Sequence, residues 1–170
     1  MFLKILIRYM AELKVERMVQ APAEVVWSVI SDVVGYAEVA PNLSKAEIMS
    51  GDGLGMCRHC YDNQGRGWNE ICVLWEEGRR YSFVVDTSDY PYPLTKMQGT
   101  WGLEERPEGI LITMCFDFVP KYGPVGWLWA QLSKPAFRRI CEGLLDNWEV
   151  KIKEQMGQAT PFPLTAKTHS

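Results

Sequence analysis

Long hydrophobic runs are missing from this sequence: none approaches the ~20 apolar residues that a membrane-crossing helix needs. Stable membrane insertion is therefore not expected. An excess of one charge is missing too. Basic residues number 18 against 21 acidic ones, for a net charge of −3, and neither sign forms a long run. For the chain as a whole, that argues against an electrostatic grip on nucleic acid or on anionic lipid headgroups. The sequence has no phosphate-cradling loop, nucleophile elbow, dinucleotide fingerprint or internal repeat. Nothing in it calls for a cofactor.

Histidine and cysteine are sparse. His59 is the only histidine inside the patterned region. The cysteines are Cys57, Cys60, Cys72, Cys115 and Cys141, an odd set with no secretion signal, which reads as reduced thiols in a cytoplasm. Cys57 and Cys60 face opposite ways in a regular strand, and no second pair follows, so no metal site is expected. The opening MFLKILIRYM lacks the apolar core and cleavage site of a signal peptide. Residues 1–10 read instead as an upstream-start extension or an amphipathic arm ahead of one domain, 11–156, with 157–170 a flexible tail.

What the chain has in quantity is aromatic side chains, seven Trp and seven Tyr among 170 residues. A chain of this size can bury roughly 70% of its unfolded surface, enough for a core without staples. Strand patterns fall at 12–20, 44–50, 54–62, 67–76, 79–86, 97–106 and 109–119, separated by GDG, DNQG, EEG and RPEG turns. Such short gaps favour antiparallel pairing. APAEVVWSVISDV begins a helix with Pro22 in its first turn and Val26, Trp27, Ile30 and Val33 as its apolar stripe. Gly35 ends it, and a second short helix covers 36–40.

From Pro124 to Gln155 the period changes. Phe137, Cys141, Leu144, Trp148 and Ile152 recur at three- and four-residue spacing, with Arg138, Glu142, Asp146, Glu149 and Lys153 opposite. Pro135 predicts a kink or a break in this long helix, with Ser133 as a cap. The fold class is α+β: a curved antiparallel sheet of about seven strands, wrapped around the C-terminal helix, with two short helices after the first strand.

The stretch GTWGLEERPEGILITMCFDF, 99–118, puts large apolar groups on every second position of a hairpin. With APAEVVWSVISDVVGY, a G-x-G at 53–55 and WNEICVLWEEGRRYSF, it resembles the START-like, birch-allergen-like superfamily, and within it the polyketide cyclase/dehydrase and lipid-transport branch. The resemblance covers roughly residues 12–155. It implies a helix-grip fold with a deep hydrophobic cavity and ligands such as lipids, sterols, quinones, polyketides or aromatic metabolites. It also implies that Tyr81, Phe83, Val85, Trp101, Met114, Phe116 and Phe118 face inward, opposite Phe137, Cys141, Leu144 and Trp148. Each of these is equally suited to plain core. Ring-closing members of the branch use arginines, a tyrosine and a glutamine, and the matching places here hold Leu43, Leu74, Val85 and Phe116. Apolar groups cannot hydrogen-bond an enolate or donate a proton, so that ring-closing chemistry is not expected.

Two polar residues remain candidates. If the hairpin turns about DNQG, Arg58 lies opposite Glu70, close enough to pair. Turned inward, the two would orient a ligand, with Glu70 available as a base; the alternatives are a structural ion pair at the cavity mouth or two solvated groups. Both faces of this hairpin are apolar, with Trp68, Cys72 and Leu74 on one and Ile71, Val73 and Trp75 on the other, so its facing stays open. His59 would point away from Arg58. The loop TSDYPYPLTK, 87–96, with Tyr92, reads either as a gate or as proline-stiffened chain, and Tyr36 is a second rim candidate. The leading expectation is a cytoplasmic carrier or binding protein for a hydrophobic small molecule. The alternative is a cyclase or dehydratase acting on an aromatic or poly-ketone substrate. Self-association as a homodimer stays open.

Overall fold

The structure, a computed structural model, describes residues 9–158. Residues 1–8 and 159–170, and with them most of the expected extension and tail, lie outside the described residues.

The alternating segments form seven strands: β1 (Ala11–Val19), β2 (Leu43–Ser50), β3 (Cys57–Asp62), β4 (Gly67–Glu76), β5 (Arg80–Val85), β6 (Leu94–Arg106) and β7 (Gly109–Pro120). They make one antiparallel sheet in the order β1-β7-β6-β5-β4-β3-β2. Short turns join successive strands from β2 to β7, which fixes this order. β1 reaches the far edge by pairing with β7, Ala11 opposite Phe118.

Two short helices, α1 (Ala23–Ile30) and α2 (Tyr36–Val39), link the two sheet edges. Pro22 is the N-cap of α1 rather than part of its first turn, and its carbonyl accepts from the Val25 and Val26 amides. Val26, Trp27, Val29 and Ile30 are buried. The long helix α3 runs from Gly123 to Gln158, 36 residues, and reaches past the expected end near 155. Cys141, Leu144, Leu145, Trp148 and Ile152 bury its inner stripe. Full burial of side chains this large contributes roughly 1.5–3 kcal/mol each.

Three boundaries differ from the sequence reading. Pro135 lies inside α3 without breaking it; the Ser133 hydroxyl donates to the Ala130 carbonyl within the helix and caps nothing. β6 begins at Leu94, immediately after the Pro-rich loop, because its first residues pair with Pro120 and Val119. β4 carries a bulge, so that Cys72 faces Phe83 while Leu74 faces Ser82 and Trp75 faces Tyr81. The extra residue reverses the facing beyond it. Trp75 turns inward to stack on Tyr81, with ring centroids 5.5 Å apart, and Leu74 leaves the inner face.

Candidate ligand-binding site

The register of β3 and β4 sets Arg58 opposite Glu70, and both are buried, at 1% and 7% exposure. Arg58 Nε and one terminal nitrogen donate to the same Glu70 oxygen at 2.9 and 2.7 Å. The other terminal nitrogen donates to the Val33 carbonyl at 3.1 Å. The second Glu70 oxygen accepts from the Trp68 indole at 2.7 Å. The pair therefore faces inward. The guanidinium also lies 4.1 Å from the centre of the Phe83 ring. Burial opposes its charge, but Glu70 beside it raises the Arg58 pKa above its ordinary value. Three of the five guanidinium N–H groups are used by these bonds. Both carboxylate oxygens are occupied, so the geometry makes Glu70 an anchor for three N–H donors from Arg58 and Trp68.

Next to this pair, a chamber of about 60 Å³ lies between Phe83, Trp101, Met114, Phe116 and the α3 residues Cys141 and Leu144. A second, of about 200 Å³, lies between Tyr92, Leu94, Phe118 and the α3 residues Trp129, Ser133 and Ala136. Asn42, Tyr90, Met97, Phe137 and Ile140 line both and form the partition between them. Neither reaches the roughly 300–1,000 Å³ of a typical ligand pocket. The expected deep hollow is thus replaced by a small inner chamber and a wider outer one.

The rest of the interior is filled by aromatic rings. Tyr81 stacks on Trp101 at 5.2 Å, Trp27 packs edge-on against Trp75, and Tyr36 lies 5.6 Å from Trp101 and 5.9 Å from Trp148. Tyr81 also donates to the Ile30 carbonyl at 2.6 Å. Glu77 accepts from both the Trp27 and Trp75 indoles. Tyr81 and Trp148 face inward but line neither chamber: they are core. The Trp101 indole N–H is the one buried side-chain polar atom without a partner among the described residues, and Trp101 is one of the residues lining the inner chamber. Gly99 beside it is required by packing, since a methyl group there would collide with the Trp101 ring.

Arg58, Glu70, Tyr36, Trp68, Phe83, Val85, Trp101, Met114, Phe116, Phe137, Cys141 and Leu144 all line the inner chamber. Phe118 and Tyr92 line the outer one. Tyr36 is buried at the start of α2 rather than placed on a rim. In the Pro-rich loop it is Tyr90, beyond Tyr92, that reaches the interior, edge-on to Trp68 at 5.1 Å. Sequence reading missed Tyr90, Met97 and Ile140 on the partition; alternation was the available signal for Met97 and helical spacing for Ile140.

His59 points away from the chambers and bonds Asn69 at 2.7 Å. Cys60 is buried and Cys57 lies on the opposite face. No group of three or more His, Cys, Asp or Glu among the described residues is arranged to hold a metal ion.

A family model for polyketide cyclase / dehydrase and lipid transport proteins matches residues 10–152. The chain belongs to this family. Solved structures share the fold. The Zhui aromatase/cyclase from Streptomyces sp. R1128 is similar with a TM-score of 0.70 and 20% identity, over 86% of this chain and 96% of that one. The di-domain aromatase/cyclase StfQ of the steffimycin pathway is similar with a TM-score of 0.73 and 13% identity, over 88% of this chain and 53% of that one. A Thalictrum flavum norcoclaurine synthase is similar with a TM-score of 0.65 and 16% identity, over 86% of this chain and 96% of that one. No protein of curated function matches the sequence.

Proposed function

We propose that the chain is a binding or carrier protein for a compact apolar small molecule bearing one oxygen acceptor. The observation that carries this is a chamber lined mainly by apolar and aromatic side chains, with Arg58, Glu70 and Asn42 among them and with Trp101, whose indole N–H is unpartnered, as one of its lining residues. A buried donor left unmatched costs about 1–3 kcal/mol, which a ligand carbonyl or hydroxyl would recover. Arg58 keeps two further N–H groups beyond those held by Glu70 and Val33. The body of the ligand would occupy the outer chamber, passing Tyr90 and Met97. Chambers of this size suit a one- or two-ring aromatic metabolite or a short polyketide better than a full-length sterol or diacyl lipid. Five unpaired thiols support a reducing, cytoplasmic setting.

The cyclase or dehydratase reading has less support. Leu43, Val85 and Phe116, at places where ring-closing relatives are expected to carry polar groups, wall the inner chamber with hydrocarbon. Glu70 has both oxygens engaged.

Binding of 1-tetralone and naphthalene, two-ring probes with and without a carbonyl, tests the carrier reading by calorimetry. Tetralone is expected to bind more tightly, and Trp101→Phe should weaken tetralone about 2- to 10-fold while sparing naphthalene. Failure of both probes to bind, together with native mass spectra that repeatedly show empty protein, overturns it.

A further inference from the structure

The first half of α3 does not share the chain's acidic balance. From 118 to 141 there is no Asp or Glu, while Lys121, Lys134, Arg138 and Arg139 all fall there, in a chain whose net charge is −3. The whole-chain charge argued against a grip on anionic headgroups; its distribution reverses that locally. The same segment carries the densest exposed apolar surface on a described helix. Val125 and Leu132 are each 74% exposed, Leu128 55%, and Trp127 and Trp129 each 40%.

This arrangement follows from the residues beneath. Gly126 and Ala130 are the buried positions of the first turns, so small groups meet the sheet and large ones are left outside. Positions 125, 128, 129, 132 and 136 recur at three- and four-residue spacing and form one stripe. Lys134 and Arg138 flank it, seven and eleven residues after Trp127, and Arg139 continues it. Ahead of the helix, Tyr122 is 76% exposed and held with φ 68, the only non-glycine residue at positive φ among those described. Lys121, Lys134 and Arg139 make no ion pair among the described residues. Arg138 bonds the Lys14 carbonyl at 3.2 Å and lies 4.0 Å from Glu142.

We infer that this face docks on an anionic lipid bilayer, lying in the interfacial plane. Tryptophan and tyrosine favour the headgroup level, lysine and arginine reach outward to anionic lipid, and aliphatic groups enter the acyl boundary. No described helix is long and apolar enough to cross a membrane, so the contact is peripheral. Charge argues against a second copy as the occupant: a two-fold interface brings the same patch against itself, four cations against four with no acid in the segment. Trp129, Ser133 and Ala136 of this segment also line the outer chamber, so docking sets that chamber beside the bilayer. The inference does not depend on the proposed ligand, since vesicle binding is measured without one.

Co-sedimentation with phosphatidylcholine vesicles, with and without phosphatidylglycerol, tests it. Binding is expected only to the anionic vesicles, with blue-shifted tryptophan emission, and should fall steeply as salt shortens the screening length from about 10 Å at 0.1 M to 3 Å at 1 M. Lys134→Glu with Arg139→Glu, and separately Leu128→Ser with Leu132→Ser, should each lower the partition about tenfold or more. Leu128, Leu132 and Arg139 are exposed and Lys134 is half-buried, and unchanged melting of the variants confirms that folding is intact. Equal binding to both vesicle types, or to neither, overturns the inference. A concentration-dependent dimer abolished by Leu132→Ser would assign the face to a second copy and overturn it as well.

Discussion

The two ends of the interior are built from the same kinds of side chain and come out differently. Around Tyr81, six aromatic residues, Trp27, Tyr36, Trp75, Tyr81, Trp101 and Trp148, interlock at centroid distances of 5.2–6.1 Å, and the chamber that Tyr36 and Trp101 border holds only about 60 Å³. Around Met97 and Phe137, the larger space of about 200 Å³ remains open. The difference lies in what covers each end. α1 lays Trp27 and Ile30 over the closed end, and Glu77 ties two indoles together there. The open end is covered by a proline-containing loop and by the part of α3 whose buried positions are Gly126 and Ala130. Apolar facing makes a wall; only a large opposing side chain makes it solid.

The sharpest test falls where the two ends meet. Arg58→Leu should cost about 3–5 kcal/mol in urea unfolding, because it strands the Glu70 carboxylate inside the protein. Adding Glu70→Leu should recover much of that loss; equal stability of the single and double variants would break the account of the pair. Trp101→Ala should cost a similar ~3–5 kcal/mol and join the closed end to the inner chamber. A loss under about 1 kcal/mol would mean that the closed end is not close-packed.

Gly99→Ala should cost less, about 1–3 kcal/mol, through overpacking against the Trp101 ring. Burial raises the pKa of both the Cys60 and Cys141 thiols from 9.0 to about 12. Between these values the unfolded thiol ionises and the folded one does not, so stability is retained below pH 9 and falls as pH rises towards 12. Each thiol contributes at most about 1.4 kcal/mol per pH unit. Urea midpoints that fall no faster above pH 9 than those of a Cys60→Ala, Cys141→Ala variant would contradict this. Tyr92→Ala, on the exposed side of the open end, should change stability by no more than about 0.5 kcal/mol. A large loss there would show the loop to be part of the core.

The sheet, its order and the gripped helix were legible because Trp101, Met114, Phe116 and Phe118 alternate and because Cys141, Leu144, Trp148 and Ile152 keep helical spacing. The facing of β3 and β4 was not, since apolar residues occur on both sides; the burial of Arg58 and Glu70 decided it. Pro135 signalled a kink or a break, but α3 continues through it. The size of the chambers was hidden for a different reason. Alternation gives the face of Tyr81 and Trp148, not whether their rings meet another ring or empty space. Tyr90 was passed over for Tyr92 because two tyrosines in a proline-containing loop have no period to separate them.

The bulge in β4 has a consequence for how this chain can vary in length. Val73 is the residue in excess, so removing it would leave Cys72 opposite Phe83, Leu74 opposite Ser82 and Trp75 opposite Tyr81 in a regular ladder. The strand can therefore shorten by one residue at 73 without turning the Trp75 indole outward.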